Sequence, residues 1–424
     1  MTNVRHLRPV GPPLGGYLRP GHRDSALLAR LISQGFDVGA GIILDPSITE
    51  RTADLRDVAR SAGIELIADP RSVELSMAGG FARSSISSLP WAGASPHTYA
   101  DLRNSGGDGL CRSIAAHVLE TGVSAVLAPT HFIDGLPDWL PLDSHLTRQL
   151  RRELDALGAN QVAIYYPLVS TLRTLSDDRV LERVVAGLSS LAREETIDAV
   201  WLRLHPFGTT SAGPINLRRY VAVAQALRGI GVPLVGEKTG TVGLLLLALN
   251  AVGAIESSIT YGDRFDVRAL QKPSDGKGFI PPPRVYFSTF GAMIKKSMAR
   301  SLFERPILRS RHGCQSTCCP RGYRDMIDDP RRHFVISRAL EVARISNVPA
   351  GVRAENYLTT WLRPASDRAV QVAELGPELM THRKRVDDWR VTVSTMLENP
   401  ELEMSSQSLV PTGRRSRGTF RQAP

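Results

Sequence analysis

Titratable side chains recur at the ends of short apolar runs along this chain. In barrel enzymes the chemistry lies at the carboxyl ends of the strands, so these positions are candidate site residues. We expect catalytic roles for Asp69, Glu256, Glu237 and Lys238, and substrate-binding roles for Asp45, His131, Tyr165, Arg203, His205, Ser258 and Tyr261. The alternative is that polar residues stand there because the chain reaches the surface.

Arg203 and His205 lie two positions apart in an apolar run, so their side chains share one face of a strand. An arginine there could bind an anion in bidentate fashion, and a histidine could transfer protons. The alternative is an internal hydrogen-bonded pair.

Several carboxylates and one lysine could do acid–base or covalent chemistry. Glu237 is a candidate general base, and a desolvated Lys238 could act as a base or form a Schiff base; a surface ion pair between them is the alternative. Glu256 lies inside an apolar run, so it is either paired with an arginine or used in catalysis. Asp45 and Asp69 each precede a proline, which also fits a turn.

A cluster of cysteines near residue 315 offers metal ligands. Cys314, Cys318, Cys319 and His333 supply enough sulfur and nitrogen donors for a four-coordinate structural zinc ion. The spacing is not C-x2-C, and adjacent cysteines reach one ion only if the chain bends. Buried thiols or one reactive cysteine are the alternatives, and Cys111 is expected to pack in the core.

The elements that must position these residues alternate regularly. Eight apolar runs are predicted to be strands: 39–44, 64–68, 124–129, 161–166, 199–204, 232–236, 254–259 and 284–288. Amphipathic helical stretches or loops separate them, which predicts an α/β fold with a (β/α)8 TIM-type barrel and a C-terminal helical, Cys-containing extension. A doubly wound open sheet is the alternative, but no G-x-G-x-x-G follows any run.

The predicted organisation has five parts: an N-terminal segment (1–34), the barrel (35–303), a Cys- and Arg-rich helical extension (304–365), a helical segment (366–404) and a disordered basic tail (405–424). A Ser-, Gly- and Pro-rich insertion at 70–105 is either a lid or a long loop.

Composition excludes some classes of protein. Of the 424 residues 42% are hydrophobic and 22% charged, which excludes wholesale disorder. No apolar stretch reaches the ~20 residues of a membrane span, and no signal peptide is visible, so a cytoplasmic location is expected. The net charge of +10 favours a polyanionic partner, and we expect nucleic acid, tRNA or DNA.

The order of parts resembles the tRNA-guanine transglycosylase superfamily. The matching residues run from Cys314 through Cys318 and Cys319 to Tyr323-Arg324 and then Arg332-His333-Phe334. The resemblance implies a barrel enzyme that exchanges a purine for a deazapurine on nucleic acid, with a structural zinc after the barrel. It also implies an essential aspartate after an early strand, and Asp69 fills that place.

The chain departs from the family at three places. Asp69 is followed by Pro-Arg-Ser-Val rather than Ser-Gly-Gly-Phe-Gln, no aspartate stands near Glu256, and no histidine stands near Arg353. The leading hypothesis is a transglycosylase-like enzyme that displaces a base at a sugar C1′. Two alternatives remain open: a Schiff-base lyase or aldolase that uses Lys238, and a non-catalytic barrel that binds nucleic acid.

Overall fold

Eight parallel strands form a closed barrel in the computed structural model of this chain, which describes residues 15–134, 139–259, 264–273 and 282–398, without the side chain of Ser105. The strands are β1 (Gly15–Arg19), β2 (Gly41–Leu44), β3 (Glu65–Ala68), β4 (Ala125–Leu127), β5 (Phe132–Ile133), β6 (Ala163–Thr171), β7 (Ala199–His205), β8 (Phe207–Gly208), β9 (Leu234–Gly236), β10 (Ala254–Ser258), β11 (Arg264–Phe265), β12 (Arg284–Phe287) and β13 (Ala292–Lys295).

The barrel follows chain order and closes on itself. Strands β1, β2, β3, β4, β6, β7, β9 and β10 pair in that sequence, and β10 pairs with β1, with Ala254 opposite Gly15. Helices surround it, so the predicted TIM-type barrel is confirmed. Strand β5 adds to β6 at the top, and β8 pairs antiparallel with β11.

Two predicted strand assignments were wrong. The first barrel strand is β1, which the sequence placed in the N-terminal segment 1–34, so the run 39–44 holds the second strand. The predicted eighth strand, 284–288, forms instead an antiparallel hairpin of β12 and β13 outside the barrel. The hairpin turns at Gly291, whose φ of 71° is a conformation that glycine adopts readily. The Gly291 N–H closes the turn by donating to the Phe287 carbonyl at 2.7 Å.

Helices follow most strands. They are α1 (Ser25–Ser33), α2 (Ala53–Ser61), α3 (Ser72–Leu75), α4 (Ala78–Phe81), α5 (Ser84–Ser87), α6 (Tyr99–Asp101), α7 (Gly107–Thr121), α8 (Trp139–Ala156), α9 (Asp178–Arg193), α10 (Pro214–Leu227), α11 (Val242–Ala248), α12 (Arg268–Gln271), α13 (Lys296–Glu304), α14 (Pro306–His312), α15 (Tyr323–Asp328), α16 (Pro330–Ser346), α17 (Ala350–Tyr357), α18 (Arg363–Val372) and α19 (Pro377–Glu398). Short 3-10 segments cover Pro46–Thr52, Thr174–Ser176, Arg228–Ile230 and Ala373–Leu375, and π-helical turns cover Leu102–Gly106 and Leu358–Leu362.

Helix α16 takes the place of the eighth barrel helix. It packs on β1, where a Cβ added to Gly16 would lie 3.5 Å from Val342. The predicted boundary at 303 therefore does not separate barrel from extension, because the segment 304–365 contains this helix. The insertion at 70–105 folds into α3–α6 over the barrel mouth, and Trp91 donates to the carbonyl of its first residue, Pro70, at 2.8 Å.

The predicted helical segment 366–404 corresponds to most of α18 together with α19, which form a hairpin against α10. The predicted tail 405–424 lies outside the described residues. Among the described helices, none is both long and apolar enough to cross a membrane.

Candidate functional site

Inside the barrel, apolar side chains are followed by charged ones toward the carboxyl ends of the strands. Its apolar part is Tyr17, Ile43, Ile67, Ala125, Leu127, Ala163, Tyr165, Ala199, Trp201, Val235 and Ala254. Side chains two positions apart on a strand share a face. The next inward residues are therefore Arg19 after Tyr17, Asp69 after Ile67, Arg203 after Trp201, Glu237 after Val235 and Glu256 after Ala254. The structure brings these five charged side chains together at the barrel mouth.

Arg19 lies at the centre of this charged layer and contacts three carboxylates. Its guanidinium donates to Asp69 Oδ2 at 2.5 Å, to Glu237 Oε1 at 2.9 Å and to Glu256 Oε1 at 3.3 Å. The side chains of Glu237 and Glu256 are 0% exposed, whereas those of Asp69 and Arg19 are 5% and 12% exposed, so two of the three carboxylates are shielded from solvent.

Arg203 is the second arginine of the charged layer and also lies near three carboxylates. It donates to Glu237 Oε1 at 2.5 Å and approaches Asp69 Oδ2 at 3.6 Å and Glu74 Oε2 at 3.9 Å. Glu237 Oε2 and Arg203 Nε are buried without a hydrogen-bond partner among the described residues. Buried polar atoms are normally satisfied, so these two are open to a ligand or a water molecule.

Arg71 extends the network to the rim. It binds Asp45 Oδ2 at 2.5 Å and Glu74 Oε1 at 3.3 Å. Its φ of 60° is rare for a non-glycine residue, and its N–H donates to Asp69 Oδ1 at 3.0 Å, which holds the turn. Asp45 accepts from the Ser47 N–H at 3.0 Å, so both aspartates start turns and also bind arginines.

The electrostatic surroundings separate the pKa values of the carboxyl groups. Burial raises the pKa of Asp69, but Arg19, Arg203 and Arg71 outweigh it and hold that pKa well below its usual range. Burial also raises the pKa of Glu256; Arg19 opposes this shift, but the charge of Glu237 reinforces it, and the pKa stays raised. Asp69 is therefore held as the anion, whereas the pKa of Glu256 lies above its usual value.

Lys238 lies beside Glu256 at the end of β9. Its N–H donates to Glu256 Oε2 at 2.7 Å, and its φ is 53°. Burial and the charges of Arg203 and Arg19 lower the pKa of its ammonium group. Within the described ranges no carboxylate lies within 4.0 Å of that nitrogen, so the neutral amine is favoured relative to a solvated lysine.

Helices from two loops cover the mouth. Val73, Phe132, Val169, Phe265, Val267 and Leu270 form an apolar cluster there. A Cβ on Gly79 of α4 would lie 2.1 Å from the Lys272 carbonyl, so the two loops pack closely. Beneath this cover the side chains of Glu237 and Glu256 are 0% exposed, and burial strengthens their ion pairs.

Other predicted site residues lie outside the network. His131 belongs to the layer between barrel and helices, where Nδ1 lies 2.6 Å from Asp143 Oδ1 and the ring stacks on Trp139. Tyr165 lies in the apolar interior, and its hydroxyl bonds Glu65 at the start of β3. Neither of these two predicted substrate-binding side chains reaches the mouth, because His131 faces α8 and Tyr165 lies deeper in the barrel.

His205 and Ser258 lie near the network's edge. His205 Nδ1 lies 3.3 Å from the Phe265 carbonyl and 3.8 Å from Asp266, so it positions the loop that carries β11. Ser258 Oγ lies 3.5 Å from Glu256 Oε1. Tyr261 lies outside the described residues.

Three network members were missed by sequence reasoning: Arg19, Arg71 and Glu74. Arg19 does carry a signal, since it follows the aromatic Tyr17 by two positions in the run GGYLR. Arg71 and Glu74 lie in the insertion, which has no periodic pattern that would have placed them.

The cysteine cluster is a separate feature behind the barrel. Ligand atoms of Cys314, Cys318, Cys319 and His333 all lie within 4.8 Å of one another. Cys318 Sγ lies 3.5 Å from both Cys314 Sγ and Cys319 Sγ, and His333 Nδ1 lies 3.4 Å from Cys319 Sγ. The cluster could therefore hold a metal ion.

A tight turn brings the adjacent cysteines to one centre. The Cys319 N–H donates to the Ser316 carbonyl at 2.9 Å, which bends the chain as a common site for Cys318 and Cys319 requires. His333 Nε2 donates to the Tyr286 carbonyl at 2.9 Å, which turns Nδ1 toward the thiols.

We expect Arg19→Met to lower the free energy of unfolding by about 3–5 kcal/mol near pH 8, because buried carboxylates lose their shared cation. In the native chain the lowered pKa of Asp69 stabilises the fold above its ordinary pKa, and this stabilisation is lost as pH falls. The variant's deficit should therefore shrink between pH 8 and pH 3, with the change confined to the range below about pH 5. Urea unfolding followed by circular dichroism measures both values.

Arg30→Met is the matched control, since Arg30 is 56% exposed and pairs with Asp329 at 3.3 Å. An exposed pair contributes at most about 1 kcal/mol. Equal losses in the two variants at both pH values would contradict a central role for Arg19.

Comparison with known proteins adds little to this geometry. No family model matches the chain, and no curated protein matches it. Similar solved structures include an endo-1,4-beta-xylanase from Penicillium canescens, a HpcH/Hpal aldolase/citrate lyase family protein from Burkholderia cenocepacia J2315 and an enolase protein from the Sargasso Sea environmental genome. The xylanase is 12% identical, with a TM-score of 0.38, and the match covers 57% of this chain and 82% of the xylanase. The aldolase/citrate lyase family protein is 12% identical, with a TM-score of 0.34, and the match covers 58% of this chain and 89% of that protein. The enolase protein is 17% identical, with a TM-score of 0.31, and the match covers 60% of this chain and 56% of that protein. Scores this low carry no argument about function.

Proposed function

We propose that this chain is an enzyme that transfers a glycosyl group of a nucleic acid, exchanging the base at a sugar C1′. The observation that carries the proposal is a pair of carboxyl groups, Asp69 and Glu256, that bind one guanidinium and have pKa values shifted in opposite directions. Such divergence assigns one group as the anion and the other as the acid.

The two roles follow from the two protonation states. Asp69 attacks C1′ as the bond to the base breaks, and Glu256 delivers its proton to the departing base nitrogen. The incoming base then loses a proton to the Glu256 carboxylate and attacks C1′, which releases Asp69. Glu256 finishes protonated and Asp69 anionic, as they began.

The separation of the pair is limited by the arginine that both groups contact. Asp69 Oδ2 and Glu256 Oε1 contact two nitrogens of Arg19 at 2.5 and 3.3 Å. The distance between these two oxygens therefore cannot exceed the sum of the two contacts and the distance between the two nitrogens. Carboxyl pairs in which one group attacks the sugar carbon are separated by about 5–5.5 Å, a distance that lies within this limit.

Two features support nucleic acid as the substrate. The net charge of +10 favours a polyanion. The resemblance to the tRNA-guanine transglycosylase superfamily implies base exchange, and the Cys314–His333 cluster that carries it is assembled in three dimensions. A base must leave its stack to reach a barrel mouth, which favours single-stranded or looped substrates.

We expect Asp69→Asn and Glu256→Gln each to lower the rate of base exchange at least about 100-fold, since each removes an acid–base or nucleophilic group. The assay follows radiolabelled guanine or a deazapurine into tRNA and into DNA oligonucleotides. With the native chain the rate should fall at high pH as Glu256 loses its proton.

The surface variant Asp57→Asn removes a carboxylate that is 75% exposed and should leave the rate unchanged. Full activity in both mouth variants would remove the pair from the mechanism. Binding of nucleic acid without any exchange would favour the non-catalytic alternative.

Lys238 favours a second candidate function, a Schiff-base lyase or aldolase. Its lowered pKa and its lack of a carboxylate partner among the described residues are properties of an amine that attacks carbonyl carbons.

If this second function holds, borohydride reduction in the presence of a panel of keto acids should trap a covalent adduct on Lys238, detected by peptide mass spectrometry. Lys238→Arg keeps the charge but cannot form the adduct, so the mass increase should disappear. An adduct that persists in this variant, or none in the native chain, would refute this function.

We also propose that the cysteine cluster holds a structural zinc ion. Three thiolates and one imidazole are donors that zinc prefers, and sulfur–sulfur distances of 3.5 Å fit a tetrahedron with Zn–S bonds of about 2.3 Å. Bound zinc would join the turn at Cys314–Cys319 to α16.

We expect about one zinc per chain by mass spectrometry of protein purified without a metal-affinity tag. The double variant Cys318→Ser/Cys319→Ser should lose the metal, because two ligands are removed. Cys111→Ser is the matched control, since Cys111 is buried in the core and bonds the Leu146 carbonyl. Well-folded, metal-free native protein would refute the zinc proposal.

A further inference from the structure

A groove separates the last two helices of the described chain. It has a volume of about 580 Å³ and lies between α18 and α19. Its charged lining is Arg363, Arg383, Lys384, Arg390, Asp367 and Asp387. Val370 and Met380, 47% and 60% exposed, also line it. The groove is thus open, with charged groups on both walls.

Cations exceed anions in this groove. Arg390 donates to Asp387 at 2.8 Å, so these two charges compensate each other. Arg363, Arg383 and Lys384 have no carboxylate within 4.0 Å in the described part of the chain, and Asp367 opposes them. The groove therefore has an excess of positive charge, with cations from both helices facing one another.

The groove is anchored on the same side of the barrel as the charged mouth. Trp389 of α19 donates from Nε1 to the Ala212 carbonyl at 2.7 Å, and Arg385 donates to the Thr210 carbonyl at 3.0 Å. Both carbonyls belong to the loop that follows β7, which carries Arg203. A polymer bound in the groove therefore lies on the side where the mouth opens.

We propose that the α18–α19 groove binds the phosphodiester backbone of the nucleic acid whose base enters the barrel mouth. Unpaired arginine and lysine side chains on two walls match phosphates repeated along one strand. The chain's own C-terminal tail is a poor occupant, since its last twenty residues contain four arginines and no acidic residue. This inference rests on the proposed glycosyl transfer to nucleic acid.

The test compares two double charge reversals by fluorescence anisotropy with labelled tRNA and a labelled single-stranded DNA. Arg383→Glu/Lys384→Glu should weaken binding at least about 10-fold and flatten the slope of log Kd against log salt by about 1.4 to 1.8, as expected for two lost phosphate contacts. Arg179→Glu/Arg183→Glu makes the same change of charge on exposed positions of α9 and should alter Kd by less than about 3-fold.

A third variant tests whether removing a negative charge from the groove strengthens binding of the nucleic acid. Asp367→Asn removes the carboxylate that opposes the three cations and should tighten binding about 3-fold at low salt. Unchanged Kd and salt slope in the Arg383/Lys384 variant, or equal weakening by the α9 variant, would overturn the proposal. Displacement of the nucleic acid by poly-glutamate of equal charge at equal concentration would overturn it in favour of an acidic protein partner.

Failure of the groove and failure of the proposed reaction give different results. If only the groove assignment is wrong, the Arg383/Lys384 variant exchanges bases on tRNA at the native rate and with the native KM. If the reaction itself is wrong, the native chain exchanges no base on any substrate, whatever the groove variants do to binding.

Discussion

Three buried carboxylates share one guanidinium at the barrel mouth, and the arrangement of the surrounding loops follows from that constraint. Arg19 alone cannot neutralise Asp69, Glu237 and Glu256, and a buried charge without a partner costs several kcal/mol. Arg203 supplies the second cation from β7, which pairs with β9, and contacts Glu237 at 2.5 Å. The insertion after β3 adds Arg71 and Glu74, so part of the charged layer comes from a loop rather than from the barrel.

The same distribution of cations makes the carboxyl groups chemically unequal. Asp69 faces three arginines, whereas Glu256 faces Arg19 and the like charge of Glu237. Burial acts on both groups in the same direction, so the difference in their pKa values comes from their neighbours. A site with two identical carboxyl environments would lack the division into anion and acid on which glycosyl chemistry depends.

Much of the fold and about half of the network could be predicted from sequence, for identifiable reasons. Asp69 and Glu237 follow apolar runs, and Arg203 and Glu256 lie within them, which marked all four as candidates. Period-two alternation placed Arg203 on a polar face but left open whether Glu237 or Lys238 points inward. Strand β1 was missed because two of its five residues are glycine, and its partner β10 begins more than two hundred residues later. Tyr165 was misplaced because β6 continues to Thr171, so the residue lies in mid-strand rather than at the rim. Contacts made by the insertion depend on tertiary packing and leave no local pattern.

The position of α16 has a consequence for how this architecture could be divided or recombined. The helix that covers β1 also carries His333, so the cysteine cluster lies inside the last βα unit rather than after a finished barrel. A chain cut before α14 would expose the outer face of its own first strand. The cluster therefore cannot be removed as an independent module without uncovering part of the barrel.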